Sequence, residues 1–422
     1  MKRNRWLIAL SAVGIHICIG SVYAWSVLTK PVMAAMGLSL GQTTWAFSIA
    51  ILFLGLSAGF LGGFVERMGP SRSGLLSACF FALGMLGTGY AISVKSTSLL
   101  YLFYGFIGGI GLGTGYITPV STLVKWFPRH RGFATGMAIM GFGFAALIAG
   151  PVMQHLTAAY GLVNNFLIMG CVYFVIMCAS ASYLRPPRKG EIKQSLEDVL
   201  KEEAARGNKR TILGPQMTRR EALHTWKFYA LWWIFFTNIT CGIGLLAVAS
   251  PMAQEVIGMT PAQAASLVGI IGVVNGGGRI VWSTVSDWIG RGVTYLVFFA
   301  LEVAAFYALS VTTEGLIFQA LVLLIISCYG GGFSCMPAFL SDIFGVRQLA
   351  SIHGSILTAW GIAGVAGPVI LAVMKENTGG YTATLQLFAC LLALAFLVSA
   401  VIQISNMRMK KKYVLQEQTS AE

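Results

Sequence analysis

Twelve apolar runs, each long enough to cross a lipid bilayer as a helix, divide this chain of 422 residues. A transmembrane helix needs about 20 mostly apolar residues, and backbone groups inside a bilayer must be hydrogen-bonded within the protein. The predicted spans cover residues 6–27, 42–64, 73–93, 98–122, 133–155, 163–184, 226–249, 263–283, 293–311, 315–337, 353–374 and 382–404. The sequence therefore predicts an all-α integral membrane protein with twelve transmembrane helices.

The composition supports this fold class. Hydrophobic residues make up 56% of the chain and charged residues 10%, whereas a soluble domain has about 25% charged residues. These values exclude a soluble enzyme, a disordered chain and a nucleic-acid-binding protein. The lipid bilayer is the expected surrounding.

The basic residues predict how the spans are oriented. If the N-terminus lies in the cytoplasm, 25 of the 29 Lys and Arg residues fall on cytoplasmic segments, and the outer loops hold only Lys30, Lys95 and Lys375. This asymmetry follows the rule that cytoplasmic loops are rich in Lys and Arg. We therefore expect both termini in the cytoplasm, and the net charge of +14 needs no acidic ligand to explain it.

A polar segment, residues 185–225, separates two groups of six spans. We expect a bundle at 1–184, a cytoplasmic linker at 185–225, a second bundle at 226–404 and a cytoplasmic tail at 405–422. Glu66 and Asp287 occupy similar loop motifs 221 residues apart, and the Gly-Pro pairs at 150–151 and 367–368 are 217 residues apart. These offsets predict two pseudo-symmetric halves. Parallel repeats of this kind are a transporter architecture, with the substrate near the midplane.

Charged residues inside spans are costly and are usually functional. Arg279 lies within span 8, and Asn275, four residues earlier, shares its helix face. A buried guanidinium needs an anion, and its two parallel donors match a carboxylate. We interpret Arg279 as the anion-binding residue. The alternative is an ion pair with Glu302 of span 9, which would leave no anion site.

Aromatic residues could complete a carboxylate site. Tyr23, Tyr116, Tyr329 and Trp360 lie within spans 1, 4, 10 and 11. A Tyr hydroxyl can donate to a carboxylate, and a ring can pack on a short aliphatic tail. Tyr and Trp are also common at membrane interfaces, so that alternative stays open for each of them.

Other chemistry-bearing residues form no recognisable constellation. His16, His155 and His353 are scattered, and we expect packing or loop positions rather than a proton relay. The sequence has no metal-site motif, no nucleotide-binding loop and no catalytic cluster. We therefore expect no metal, no cofactor and no enzyme activity.

The loop motifs carry a family resemblance. Three segments resemble the signature motifs of the major facilitator superfamily: Gly62 to Gly69 after span 2, the similar segment Ser283 to Arg291 after span 8, and the Gly-Pro pair in span 5. The resemblance implies that a network of charged residues latches the outward-open state. Its members here would be Glu66, Arg67, Arg72, Asp287 and Arg291. Pro70 and Ser71 replace the usual basic pair, which implies a weaker first latch. Ordinary charged loop residues are the alternative.

Four segments resemble the oxalate/formate antiporter branch, which is related to bacterial and animal monocarboxylate transporters. They are residues 20–26, 125–128, 275–279 and 358–361. The resemblance implies that Arg279 binds the carboxylate and that Tyr23, Tyr116 and Tyr329 line the site. Oxalate carriers have a lysine where this chain has Trp360, and a single basic residue favours a monoanion. Animal relatives carry protons on an aspartate at the position of Asn275, so that proton route is absent here.

The sequence therefore predicts a secondary transporter of lactate, pyruvate or formate, coupled to protons and working by alternating access around Arg279. We expect a monomer in the bacterial inner membrane. The alternatives are an oxalate/formate-type anion exchanger and a membrane sensor of carboxylates.

Overall fold

The computed structural model describes residues 3–38, 40–188, 191 and 216–419. Within these ranges it contains helices and no strand. Twelve helical segments are long and apolar enough to cross a membrane, which confirms the predicted number and the fold class. We number them α1 to α12 in chain order, so that each number matches the predicted span.

The first and fourth membrane helices are composite. α1 joins Arg5–Gly20, a 3₁₀ turn at Ser21–Ala24, and Trp25–Met36. α4 joins Thr97–Leu100, a π-helical stretch at Tyr101–Ile107, and Gly108–Trp126.

The other ten are single helices. They are α2 Leu40–Met68, α3 Pro70–Ser93, α5 Arg131–Tyr160, α6 Leu162–Tyr183, α7 Trp226–Ile257, α8 Pro261–Ile289, α9 Arg291–Val311, α10 Gly315–Phe344, α11 Leu349–Thr378 and α12 Thr382–Thr419. A short helix, Arg219–Leu223, precedes α7.

The predicted linker and tail are described only in part. Residues 189–190 and 192–215 of the linker, and 420–422 of the tail, lie outside the described residues, so the linker stays a prediction there. The helix α12 continues through most of the segment 405–422, which we had separated from span 12.

Equivalent turns recur in the two halves. Gly69 ends α2 with a φ of 79°, and Gly290 ends α8 with a φ of 91°. Only glycine adopts this left-handed conformation without strain. Each turn starts the next helix at once, so both loops are tight and hold the preceding acids, Glu66 and Asp287, at one end of the bundle. The basic residues predict that this end faces the cytoplasm, and we refer to it as the predicted cytoplasmic face.

Two seams join the halves: α2 packs on α11, and α5 packs on α8. In the first seam, a Cβ atom added to Gly354 would lie 2.0 Å from the carbonyl oxygen of Ala58. In the second, a Cβ atom on Gly136 would lie 2.5 Å from the carbonyl oxygen of Arg279. Small residues let helix backbones approach this closely in membranes. The glycines of both seams lie in the middle of the helices and toward the predicted cytoplasmic face.

Alanine at a seam glycine should destabilise the protein. A helical Gly→Ala change normally stabilises by about 1 kcal/mol, but overpacking costs about 1–3 kcal/mol. We expect Gly354→Ala to lower the melting temperature in detergent, measured by tryptophan fluorescence. Gly269→Ala is the matched control, because nothing lies within 4 Å of a Cβ atom there. Equal melting temperatures for the two variants would contradict a tightly packed seam.

Candidate substrate-binding site

Arg279 lies near the middle of α8, and its side chain is fully buried. Its Nε donates to Oδ1 of Asn275 at 3.3 Å, one helical turn away, as the shared face predicted. Its Nη1 donates to the carbonyl oxygen of Ile139 on α5, at 3.1 Å, so the residue bridges the two halves. Nη2 is buried without a hydrogen-bond partner. Burying a guanidinium in this way is costly unless an anion compensates the charge.

Glu302 does not provide that compensation. It is fully buried on α9, and both of its carboxyl oxygens accept hydrogen bonds from Nδ2 of Asn238, at 3.0 and 3.1 Å. No ion pair joins Glu302 to Arg279 among the residues that the structure describes. The alternative of an Arg279–Glu302 pair is therefore wrong for this conformation.

The four predicted aromatic residues gather around the same point. The hydroxyl groups of Tyr23 and Tyr329, from α1 and α10, are 3.4 Å apart. The rings of Tyr116 and Trp360, from α4 and α11, have centroids 5.2 Å apart. All three tyrosines are close enough to interact electrostatically with Arg279. The fold thus brings together predicted residues from five helices and from both halves.

Two phenylalanines that the sequence reasoning missed complete the surroundings of the guanidinium. The Cζ atom of Arg279 lies 5.7 Å from the ring centroid of Phe142 and 5.0 Å from that of Phe333. Such contacts stabilise a desolvated cation. Both rings also pack edge-on against Trp360. The sequence does contain a local signal for these two residues, because Phe142 lies between two glycines and Phe333 follows three. Glycines in membrane helices mark places where neighbouring helices approach closely.

Several buried polar atoms around this point lack hydrogen-bond partners. They are Nη2 of Arg279, Oη of Tyr116, Nε1 of Trp360, Nδ1 of His16 and Nε2 of His353. Most buried polar groups are paired, so five unpaired atoms in contacting side chains point to a polar ligand or water. The histidines had been expected as scattered packing residues. The structure places two of them beside Tyr116, whereas His155 is exposed.

The second loop motif joins the halves at the predicted cytoplasmic face. The carboxylate of Asp287 accepts hydrogen bonds from the backbone N–H groups of Gly132, at 3.1 Å, and Phe133, at 3.0 Å. These groups lie at the N-terminus of α5, where unpaired donors and the helix dipole favour an anion. Arg291 pairs with Asp287 and lies 3.6 Å from a carboxyl oxygen of Asp342. The acid thus ties α8 to α5.

The first loop motif makes a different contact. Glu66 accepts a hydrogen bond from Oγ of Ser351, near the start of α11, at 2.8 Å, and interacts electrostatically with Lys125. Arg67 and Arg72 are exposed and belong to no ion pair among the described residues. A cavity of about 100 Å³ lies beside Glu66 and is also lined by Lys125 and Ser121.

We expect Asp287→Asn to loosen the predicted cytoplasmic face. Asparagine keeps one acceptor for the backbone donors but loses the charge that pairs with Arg291. The measurement is the rate at which an impermeant thiol reagent labels a cysteine placed at Ser121, in inside-out vesicles and in a chain whose native cysteines are serines. Labelling should be several-fold faster in Asp287→Asn, and Arg67→Ala should leave it unchanged. An unchanged rate in Asp287→Asn would refute its role as a latch.

The sequence profile of the Major Facilitator Superfamily matches residues 9–368. The chain is similar to the oxalate:formate antiporter of Oxalobacter formigenes, with 27% identity over 90% of this chain and 88% of that protein. It is similar to an uncharacterised transporter of Escherichia coli, YhjX, with 26% identity over 86% of this chain and 87% of that protein. It is also similar to monocarboxylate transporter 12 of Rattus norvegicus, with 24% identity over 97% and 87%.

Solved structures share the fold. FucP, a transporter of the same superfamily in the outward conformation, has a TM-score of 0.71 at 15% identity, covering 93% of this chain and 98% of that one. The human organic anion transporter MFSD10 has a TM-score of 0.71 at 13% identity, covering 94% and 100%. Because the profile spans most of the chain and the twelve-helix fold is the same, this protein belongs to the major facilitator superfamily.

Proposed function

We propose that this protein is a secondary active transporter of small monocarboxylates such as lactate, pyruvate or formate, working in symport with protons. The two halves would rock around a central site at Arg279, exposing it to each side of the membrane in turn. The observation that carries the proposal is the buried guanidinium between the halves, which pairs with no acid of the described residues and has one nitrogen without a hydrogen-bond partner.

The charge of the site supports a monoanion. Among the described residues, the other buried lysine and arginine side chains are Lys227 and Arg291. Lys227 donates to Asn406, and Arg291 pairs with Asp287, so Arg279 alone offers its charge to the central site. A monoanion would match that charge, whereas the second charge of oxalate would remain unpaired.

The remaining predicted residues have roles in this proposal. Tyr23, Tyr116 and Tyr329 would donate hydrogen bonds to the carboxylate, Asn275 would hold the guanidinium in place, and Trp360 would pack on the aliphatic part of the substrate. The carboxylate-transporting relatives named above support the substrate class. We further propose that the protein works as a monomer in a bacterial inner membrane, with both termini in the cytoplasm.

Arg279→Ala tests the binding site. We expect uptake of labelled lactate and pyruvate into proteoliposomes to fall at least about 30-fold at low substrate concentration, since truncating one partner of a buried charge pair costs about 2–5 kcal/mol. Arg220→Ala is the matched control, because Arg220 is exposed on the short helix before α7. Uptake that survives in Arg279→Ala would refute the assignment. Oxalate uptake only against internal formate would favour anion exchange instead.

Trp360→Lys tests charge matching. Trp360 is fully buried beside Phe333, so a lysine there would add a second positive charge near Arg279. We expect the preference for oxalate over lactate, measured as the ratio of half-inhibitory concentrations in competition assays, to rise about tenfold, or about 1.4 kcal/mol. Trp360→Met, an uncharged replacement, should not change the ratio. An unchanged ratio in Trp360→Lys would show that charge at this position does not set selectivity.

A further inference from the structure

Two histidines from opposite halves lie beside the central site, and the proposed binding of the anion does not use them. His16 of α1 is fully buried, and His353 of α11 is 1% exposed. The ring of Tyr116 lies between them, with its centroid 5.2 Å from that of His16 and 6.1 Å from that of His353. The two imidazoles also interact electrostatically across the interface.

The hydrogen bonds of His16 suit a ring that gains and loses a proton. Its Nε2 lies 3.2 Å from the carbonyl oxygen of Tyr116. A carbonyl only accepts, so Nε2 carries a hydrogen and donates it. In the neutral ring, Nδ1 is then an acceptor, and it is buried without a partner. The carbonyl of Ala138 also lies beside the ring and could accept from the charged form. Complete burial and the charge of Arg279 disfavour an imidazolium in the empty site, and the two carbonyls offset part of that cost.

The nearby charges link this proton to the anion. The charged and titratable groups around His16 are Tyr116 from α4, Arg279 from α8 and His353 from α11, and no acid acts on it among the described residues. While Arg279 is uncompensated, a second positive charge on His16 is repelled. A carboxylate bound to Arg279 cancels that charge and adds an attraction of its own. One proton can then enter with one anion, so the transported pair is neutral and the loaded centre keeps the single positive charge that it has when empty.

We propose that His16 is the residue that binds the transported proton. The inference rests on the proposed function, because the proton is held by the charge of the bound monocarboxylate. His353 is a like-charged neighbour when protonated, so it limits the pair to one proton while the halves are closed on each other. Glu302 is a poorer candidate, since its surroundings are Asn238, Tyr295, Cys241 and Cys328, none of which an anion on Arg279 would contact.

His16→Gln is the test variant. The Gln amide nitrogen can still donate to the Tyr116 carbonyl but cannot take up a proton. Two assays with labelled lactate are run in proteoliposomes: accumulation driven by an inward proton gradient, and exchange at equal pH and equal lactate on both sides. We expect the wild type to be stimulated about tenfold by the gradient, and the variant to lose the stimulation while exchanging lactate within about threefold of the wild-type rate.

The controls are His155→Gln, at an exposed histidine, and Glu302→Gln, which should keep the stimulation by the gradient. Stimulation that persists in His16→Gln, or disappears in Glu302→Gln with exchange intact, would overturn the inference. A wild type that exchanges lactate but ignores the gradient would also overturn it and leave the carboxylate site standing. A wild type that neither accumulates nor exchanges any of the three monocarboxylates would refute the proposed function itself.

A second measurement does not depend on the folding of the variant. The chain has five histidines, so wild-type protein labelled with ¹⁵N-histidine gives few ring signals, which His→Gln changes at the other four positions can assign by elimination. Lactate should move the Nδ1 signal of His16 from the unprotonated to the protonated range. A signal of His16 that lactate leaves unchanged, while lactate binds, would overturn the inference.

Discussion

A single positive charge, buried where the two halves meet, is the constraint on which the rest of this structure depends. Arg279 donates hydrogen bonds to a carbonyl oxygen of the opposite half and to an amide oxygen of its own helix, and its guanidinium lies over the rings of two phenylalanines. None of these carries a negative charge, so the cost of desolvating the guanidinium is met only in part. Under the proposed function, a bound anion would supply the missing compensation. The surrounding tyrosine and tryptophan donors, two of them unpaired, are suited to the same ligand.

The same residue connects the site to the packing of the halves. Its Nη1 bonds to Ile139 on α5, and its backbone carbonyl packs against Gly136 of that helix. Under the proposed rocking of the halves, opening the predicted cytoplasmic face would move α8 relative to α5 and break the bond to Ile139. In the empty protein this leaves the buried guanidinium with even less compensation. A bound carboxylate would compensate the guanidinium in place of the lost hydrogen bond. Under the proposed function, the free-energy cost of changing between the two access states is therefore lower for the loaded transporter than for the empty one.

The two loop motifs hold the predicted cytoplasmic face in unequal ways. Asp287 joins the halves through two backbone N–H groups of α5 and also pairs with Arg291 of its own half, whereas Glu66 joins the halves through the side chain of Ser351. The resemblance implied a weaker first latch, because Pro70 and Ser71 stand where the family has a basic pair. Glu66 contacts a hydroxyl, and Arg67 and Arg72 lie at the surface; the weaker first latch stays a prediction. Pseudo-symmetry of the sequence therefore does not impose the same contacts on the two motifs at this face.

What the sequence determined by itself rests on local and periodic patterns. Runs of about 20 apolar residues require helices in a bilayer, and the one-turn spacing of Asn275 and Arg279 puts them on one face. The tertiary structure alone decided the partners that lie far apart in the sequence: Ile139 and Phe142 at Arg279, Asn238 rather than Arg279 at Glu302, and His16 with His353 beside Tyr116. Most of these pairs are more than 100 residues apart, and a single sequence carries no periodic signal at that range. The contacts that cross between the halves form where the glycine seams bring helix backbones together.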